Sequence, residues 1–175
     1  MYKRQHFDDI LKLVQGKETY VVPEDVIVQV MRELHAQRYD KDDITQHVVR
    51  QTLRKLRLRR AYDHVSQITI RITGVRTPRI SSEMETECRT MFIKMSKPFQ
   101  RFCPKTRKNF LSYNYVLFRC FHILNLTHML GSVSLLRGHD KLLLQDETFE
   151  KIAHHLQWPF VPIHKILAEH KIPIV

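Results

Sequence analysis

The stretch RKNFLSYNYVLFRCFHIL, residues 107–124, reads as a helix whose apolar residues occupy nearly every side. Asn114, Arg119 and His122 interrupt the apolar run from Phe110 to Leu126, so nothing approaches the roughly 18 consecutive apolar residues of a membrane span. In a chain that does not cross a membrane, a helix of this kind must be wrapped by others. The expectation is an all-α protein with helix 107–124 at its centre and with Phe118 and Phe121 buried.

Composition points the same way. Hydrophobic residues make up 43% of the 175 positions, enough for a substantial core. Only 4 glycines are present, which argues against a fold rich in tight β-turns and against a glycine-rich phosphate loop.

Helical spacing continues outward from the central stretch. Phe7, Ile10, Leu11 and Val14 predict a helix over 3–15 that stops at Gly16. Pro23, Glu24 and Asp25 open a second helix with favourable first-turn residues. Asp43 and Gln46 resemble a capping box for a third, over 44–58. A fourth covers 61–73 and ends at Gly74. Ser82 and Glu85 open a fifth, with Met84, Cys88, Met91, Phe92 and Met95 on one stripe. Pro98 and Pro104 are read as bracketing an irregular basic segment. Shorter helices follow at 127–136, 139–156 and 162–170.

An internal echo links Ile44-Thr45-x-x-Val48-Val49 to Leu111-Ser112-x-x-Tyr115-Val116, and Leu56-Arg57-Leu58 to Leu124-Asn125-Leu126. One inserted residue aligns them. Either two related helical units or two independent amphipathic helices would produce it. The expected division is 1–74, a linker at 75–81, and 82–175.

Charge carries the functional signal. The net charge is +11, and it is concentrated. Residues 44–79 hold nine Arg or Lys against Asp63 alone, and residues 94–108 hold six against none. Arg50, Arg54 and Arg57 fall at i, i+4 and i+7, and Arg59 and Arg60 extend the row. A ridge of guanidinium groups suits a line of phosphates. Lys94, Lys97, Arg101, Lys105, Arg107 and Lys108 interleave with Phe99, Phe102 and Phe110, a pattern that can grip a backbone and stack bases. The competing readings are a solvated charged face and phenylalanines that anchor a core.

Other chemistries find little support. Cys88, Cys103 and Cys120 form no CxxC pair, which excludes a disulfide framework and offers no zinc spacing. Cys120-x-His122 and His154-His155 point to different helix faces. Cys103 has basic neighbours that would favour its thiolate, yet Cys-Pro in a basic loop reads as a structural turn. Asp8-Asp9 and Asp42-Asp43 look like helix-start charges rather than an acid–base pair. No GxSxG, P-loop or dinucleotide fingerprint is present. The chain is expected to be non-enzymatic, without metal or cofactor.

The segment Phe102-Cys103-Pro104-Lys105-Thr106-Arg107-Lys108-Asn109-Phe110-Leu111-Ser112-Tyr113 resembles the signature of the poxvirus late transcription factor three family. Within it Cys103, Pro104, Arg107, Lys108, Asn109, Phe110, Ser112 and Tyr113 carry the likeness. Tyr2-Lys3-Arg4, Gln15-Gly16-Lys17-Glu18, Ile44 to Leu58, Tyr62-Asp63-His64-Val65, Leu144-Gln145-Asp146 and Leu156-Gln157-Trp158-Pro159-Phe160 extend it over nearly the whole chain.

The resemblance implies a viral late-gene transcription factor. Its partners would be DNA, viral RNA polymerase and other late transcription factors, with no membrane. It would act inside an infected host cell, in a cytoplasmic viral factory, the virion or the nucleus. Members of that family commonly carry an N-terminal cysteine-rich zinc ribbon; these residues hold none, either because it was removed or because this member lacks it, so zinc would enter only through such a ribbon. A ribbon followed by two helical units is similar in plan to the cellular initiation factor TFIIB with its cyclin-like repeats. The alternative is an adaptor of the polymerase that never touches DNA.

Overall fold

The computed structural model describes residues 4–103, 109–135 and 138–172, and these contain helices and connecting segments without a strand. The α-helices are α1 (Arg4–Leu13), α2 (Glu24–Ala36), α3 (Gln46–Lys55), α4 (Val65–Thr73), α5 (Ser82–Phe102), α6 (Tyr113–Ile123), α7 (His139–His155) and α8 (Ile163–Glu169). Short 3₁₀ turns lie at Lys41–Asp43, Arg59–His64 and Thr127–Ser132. The protein is all-α, as its periodicity predicts.

The chain forms two compact units. One is Lys12–Arg79; the other joins Met1–Leu11 to Ile80–Val175. The sequence-based division differs in giving the first eleven residues to the first unit. In the Lys12–Arg79 unit, Ile27, Val30 and Leu34 of α2, Val49 and Leu53 of α3, and Val65 and Ile68 of α4 make one core. In the other, α6 is the centre: Tyr115 through Phe118, Cys120 and Phe121 are all 0% exposed. Phe7 of α1 is equally buried and stacks on Phe92 of α5 at 4.5 Å.

Several boundaries move from expectation: in place of a helix over 127–136 there is the 3₁₀ turn Thr127–Ser132, and the helix expected over 61–73 starts at Val65, after the turn Arg59–His64. Three more have a local cause. The cap of α3 is Thr45, whose Oγ1 accepts from Val48 N at 3.3 Å, because Asp40 to Asp43 are taken up in a 3₁₀ turn. Helix α5 runs on through Pro98 to Phe102. A proline there gives up one backbone bond, but Met95, Pro98 and Phe99 all lie on the buried face, and their burial offsets that loss. The central helix starts at Tyr113, not at 107. Ser112 N donates to Gln145 Oε1 at 2.7 Å, so the residue before α6 is tied to α7 instead of continuing a helical ladder.

The internal echo has a geometric counterpart. Thr45 and Ser112 stand at the N-caps of α3 and α6, and their carbonyls accept from Val49 N and Val116 N. At the other ends, Arg57 (φ 56) and Asn125 (φ 56) take the left-handed conformation. Leu58 N then bonds back to Leu53 O at 3.0 Å and Leu126 N to Phe121 O at 2.8 Å. This is the Schellman closure, with its apolar residue just past the turn. A six-residue 3₁₀ turn follows each.

Candidate nucleic-acid interface

Helix α3 carries the first basic block, and the structure corrects one member. The expectation that Arg50 points outward fails: it is 8% exposed. On the helical wheel position 50 lies only roughly 60° from Leu53, within the packed arc once the core has covered Val49 and Leu53. Burial pushes the Arg50 guanidinium below its usual range, and the charge of Arg54 adds to this. Arg54 is partly exposed, and Arg57, Arg59 and Arg60 are exposed. The left-handed turn at Arg57 takes that side chain off the wheel of α3, and Arg59 and Arg60 open the following 3₁₀ turn. Two further cations of this unit are engaged internally: Lys55 with Glu33 at 2.5 Å and Arg71 with Glu24.

Sequence reasoning missed His47 and Gln46, which precede this block on the same helix. Burial, then the charges of Arg50 and Arg54, lowers the His47 pKa and favours the neutral imidazole. Its Nε2 lies 2.8 Å from Gln51 Nε2, while its Nδ1 is buried with no hydrogen-bond partner. Gln46 Oε1 is likewise buried and unpaired. The signal available in the sequence was spacing, since His47 sits three residues before Arg50.

The second block falls on the last two turns of α5. Lys94, Lys97 and Arg101 are exposed at i, i+3 and i+7, which places them on one side. They also complement the helix dipole, with Glu83 and Glu85 at the opposite end. Lys105, Arg107 and Lys108, with Pro104 of the signature, lie outside the described residues. The aromatic residues divide. Phe99 and Phe110 are buried and meet edge to face at 4.7 Å, which makes them core anchors. Phe102 is half-buried, against His155 at 5.6 Å and beneath the Arg101 guanidinium at 5.5 Å.

Most described signature residues are used to build the fold. Cys103 closes α5 by donating its N–H to Phe99 O at 2.8 Å, and Asn109 is exposed. Tyr113 stacks on Phe92 at 5.5 Å and meets His6 edge to face at 4.7 Å. The Leu144-Gln145-Asp146 segment is structural as well. Gln145 receives Ser112 N, and Asp146 is the hub of a buried network. Asp146 accepts from the Tyr115 hydroxyl at 2.5 Å, from Arg119 and from Ile163 N at 2.9 Å. Arg119 also donates to Val161 O at 2.7 Å and lies 5.0 Å from the Phe149 ring centre and 5.1 Å from that of Phe160. Burial pushes the Tyr115 phenol up to about 12, against the pull of Arg119.

Among the described residues no group of three or more His, Cys, Asp or Glu side chains is placed to hold a metal ion. Cys88 and Cys120 come together, with Cys120 Sγ 4.0 Å from Cys88 O, and the side-chain hydrogen bond with Cys88, then burial, push the Cys120 thiol well up. No helix among the described residues is long and apolar enough to cross a membrane.

Comparison with known proteins agrees with the residues that suggested a family. The family model described as "Poxvirus Late Transcription Factor VLTF3 like" matches residues 1–160. A protein of Acanthamoeba polyphaga mimivirus is 36% identical over 160 residues, which is 91% of this chain and 37% of that protein. A protein of Paramecium bursaria Chlorella virus 1 is 37% identical over 162 residues, 91% of this chain and 45% of that protein. Each bears a name beginning "Putative transcription factor". The chain thus spans less than half the length of these relatives. No solved structure matches it. The match over residues 1–160, together with the signature segment and the Leu144-Gln145-Asp146 hub, makes this chain a member of the poxvirus late transcription factor three-like family.

Proposed function

We propose that the chain acts as a non-enzymatic factor in viral late-gene transcription, binding DNA through exposed cations and supporting initiation by viral RNA polymerase. The observation that carries this reading is the cluster of Arg57, Arg59 and Arg60, exposed together just past the end of α3. Such a cluster contacts phosphates and releases counterions, so affinity falls steeply with salt. Arg54 and the Lys94, Lys97 and Arg101 face of α5 extend the capacity. The matched caps of α3 and α6 support two related helical units, and through them the comparison with TFIIB. Its place of action is the infected cell, with the late transcription machinery as partner.

A mobility-shift titration of duplex DNA at two salt concentrations tests the reading. A steep loss of affinity with salt supports it; no shift at the lower salt overturns it. The adaptor reading is favoured by one observation: Ile93, 52% exposed, lies beside Lys94 on α5, as on a protein-binding face. If Ile93→Ser and Lys97→Ala abolish capture of viral polymerase while no variant affects DNA, the adaptor reading replaces the first.

A further inference from the structure

Residues 20–22 precede α2 without a helix of their own and are held along α4. Gln67 and Arg71, one turn apart on that helix, do the holding. Gln67 Nε2 donates to Tyr20 O at 2.5 Å, Val22 N donates to Gln67 Oε1 at 2.7 Å, and Arg71 Nη1 donates to Val22 O at 2.7 Å. Val22 is buried in the core of the Lys12–Arg79 unit, whereas Tyr20 and Val21 stay outside, 50% and 72% exposed. The Tyr20 ring stacks on that of His64, with centres 4.4 Å apart and planes at 29°. His64 is fixed in turn: its Nδ1 lies 3.4 Å from Glu18 Oε1, and both side chains are largely buried. Backbone and ring are thus both set, so engaging Tyr20 costs little rotamer entropy.

Among the described residues no other Phe, Tyr or Trp is as open as Tyr20. His64 covers one face of its ring, and among the described residues no ring lies on the other. Its apolar neighbour Val21 adds little: two residues fall far short of the roughly 800 Å² that each partner buries in a standard protein interface. The surroundings favour an anion that carries a ring. His64 ends the 3₁₀ turn Arg59–His64, and Arg59 and Arg60 are exposed at its start. At about 2.0 Å per residue they lie roughly 8–10 Å back along the turn, which a strand spans in about three nucleotides of roughly 3.4 Å rise. Asp63, exposed beside His64, repels phosphate, so the phosphates belong at the arginine end and a neutral ring at the Tyr20 end.

We propose that Tyr20, backed by His64, is a stacking platform for one unpaired base of a single strand whose phosphates lie on Arg59 and Arg60. In a duplex the faces of every base are covered by its neighbours, so a ring fixed on a surface meets only a base out of the stack. Stacking uses the π-face that every base has, so the platform takes any of them. The proposal rests on the nucleic-acid reading for its phosphate contacts, and adds a contact that only an opened strand can make.

Fluorescence anisotropy of labelled strands titrated with the full chain tests this. The probes are oligo(dT) of about 12 nucleotides, a fully abasic strand of that length and the matching duplex. Tyr20→Ala should weaken oligo(dT) about 5- to 150-fold, the loss of one stacked base, and leave the abasic strand and the duplex unchanged. Tyr20→Phe should bind as the unaltered chain does, because the ring is what stacks. Arg60→Ala should weaken all three probes and lower the salt slope on oligo(dT) by about 0.7, the share of one phosphate on a single strand. Undiminished oligo(dT) binding by Tyr20→Ala, or equal weakening of all three probes, overturns the proposal. So does loss of polymerase capture with oligo(dT) binding intact, which makes Tyr20 a protein contact. Salt-dependent duplex binding alongside any of these results leaves the duplex-binding reading standing. Oligo(dT) binding that needs Tyr20, with no duplex binding, supports the platform and removes the duplex-binding reading. No binding of any probe overturns both.

Discussion

Arg119 and Asp146 form an ion pair inside the unit centred on α6, with Arg119 1% exposed and Asp146 5%. Two charges taken from water need each other and their hydrogen bonds, and here Tyr115, Val161 and Ile163 supply those bonds. Asp146→Asn keeps the shape and strands the guanidinium. It should lower unfolding free energy in urea by about 3–5 kcal/mol. The double variant with Arg119→Met should be at least about 1 kcal/mol less damaging than the sum of the single ones. Additive losses would mean that the pair is not coupled.

The same network predicts alkaline behaviour. The Tyr115 phenol is raised to about 12 from 10.0, so the fold favours its neutral form. Its contribution to stability is complete below pH 10 and fades as pH climbs toward 12. Tyr115 should ionise late in a titration followed at 295 nm, together with loss of structure. Tyr115→Phe should remove that late step. A titration in which Tyr115→Phe removes no late step from the folded protein would contradict the structure.

Arg50 should part company with its exposed neighbours. A guanidinium that is buried next to Arg54 costs stability, so Arg50→Met should leave the melting temperature unchanged or raise it. Arg57→Ala, Arg59→Ala and Arg60→Ala should shift stability by only about 0–1 kcal/mol. Each of the three should reduce the salt slope of DNA binding by about one, as a phosphate contact does. Parallel melting curves and salt titrations check both halves. A large loss of stability in Arg50→Met would show that the charge is needed by the fold.

Several helices close on a left-handed residue that is not glycine: Arg38, Arg57, Asn125, Gln157 and Lys171 have φ between 51 and 59. Side chains resist this conformation, by about 1–2 kcal/mol. Arg38→Gly and Gln157→Gly, both at exposed positions, should each stabilise by roughly 0.5–1 kcal/mol after the added freedom of the unfolded chain is counted. Gly16→Ala should do the reverse: its φ is +61, and a Cβ would stand 2.9 Å from Ile70 Cδ1. Denaturant midpoints measured side by side decide this.

The apolar faces were legible because they repeat every three to four residues. Val49 with Leu53, and Phe118 with Phe121, are buried as their spacing says. What was not legible depends on groups distant in sequence. The start of α6 is set by Gln145, 33 residues on, and the cap of α3 by competition from a 3₁₀ turn. The wheel gave Arg50 a side but not the width of the packed arc, so its burial was hidden. Gln46 reads as a capping partner and His47 as an ordinary helix-surface residue, and their buried, unpaired atoms depend on what packs around them. Phe99 and Phe110 could be read as stacking platforms or as core, and only their mutual contact decides.

The membership of the first eleven residues in the unit that resumes at Ile80 has a practical consequence. Phe7 and Phe92 are 85 positions apart, yet each ring covers the other. A cut at the middle of the chain would not yield two self-sufficient halves. A fragment beginning at Ile80 would uncover the face of the Phe92 ring on which Phe7 stacks and would lose the Asp8 partner of Arg89, which lies 2.6 Å away. Supplying the N-terminal peptide as a separate molecule should repair it, as a missing stave closes a barrel. Residues 4–11 and the segment that resumes at Ile80 are in this sense one folding element, joined through space rather than along the backbone.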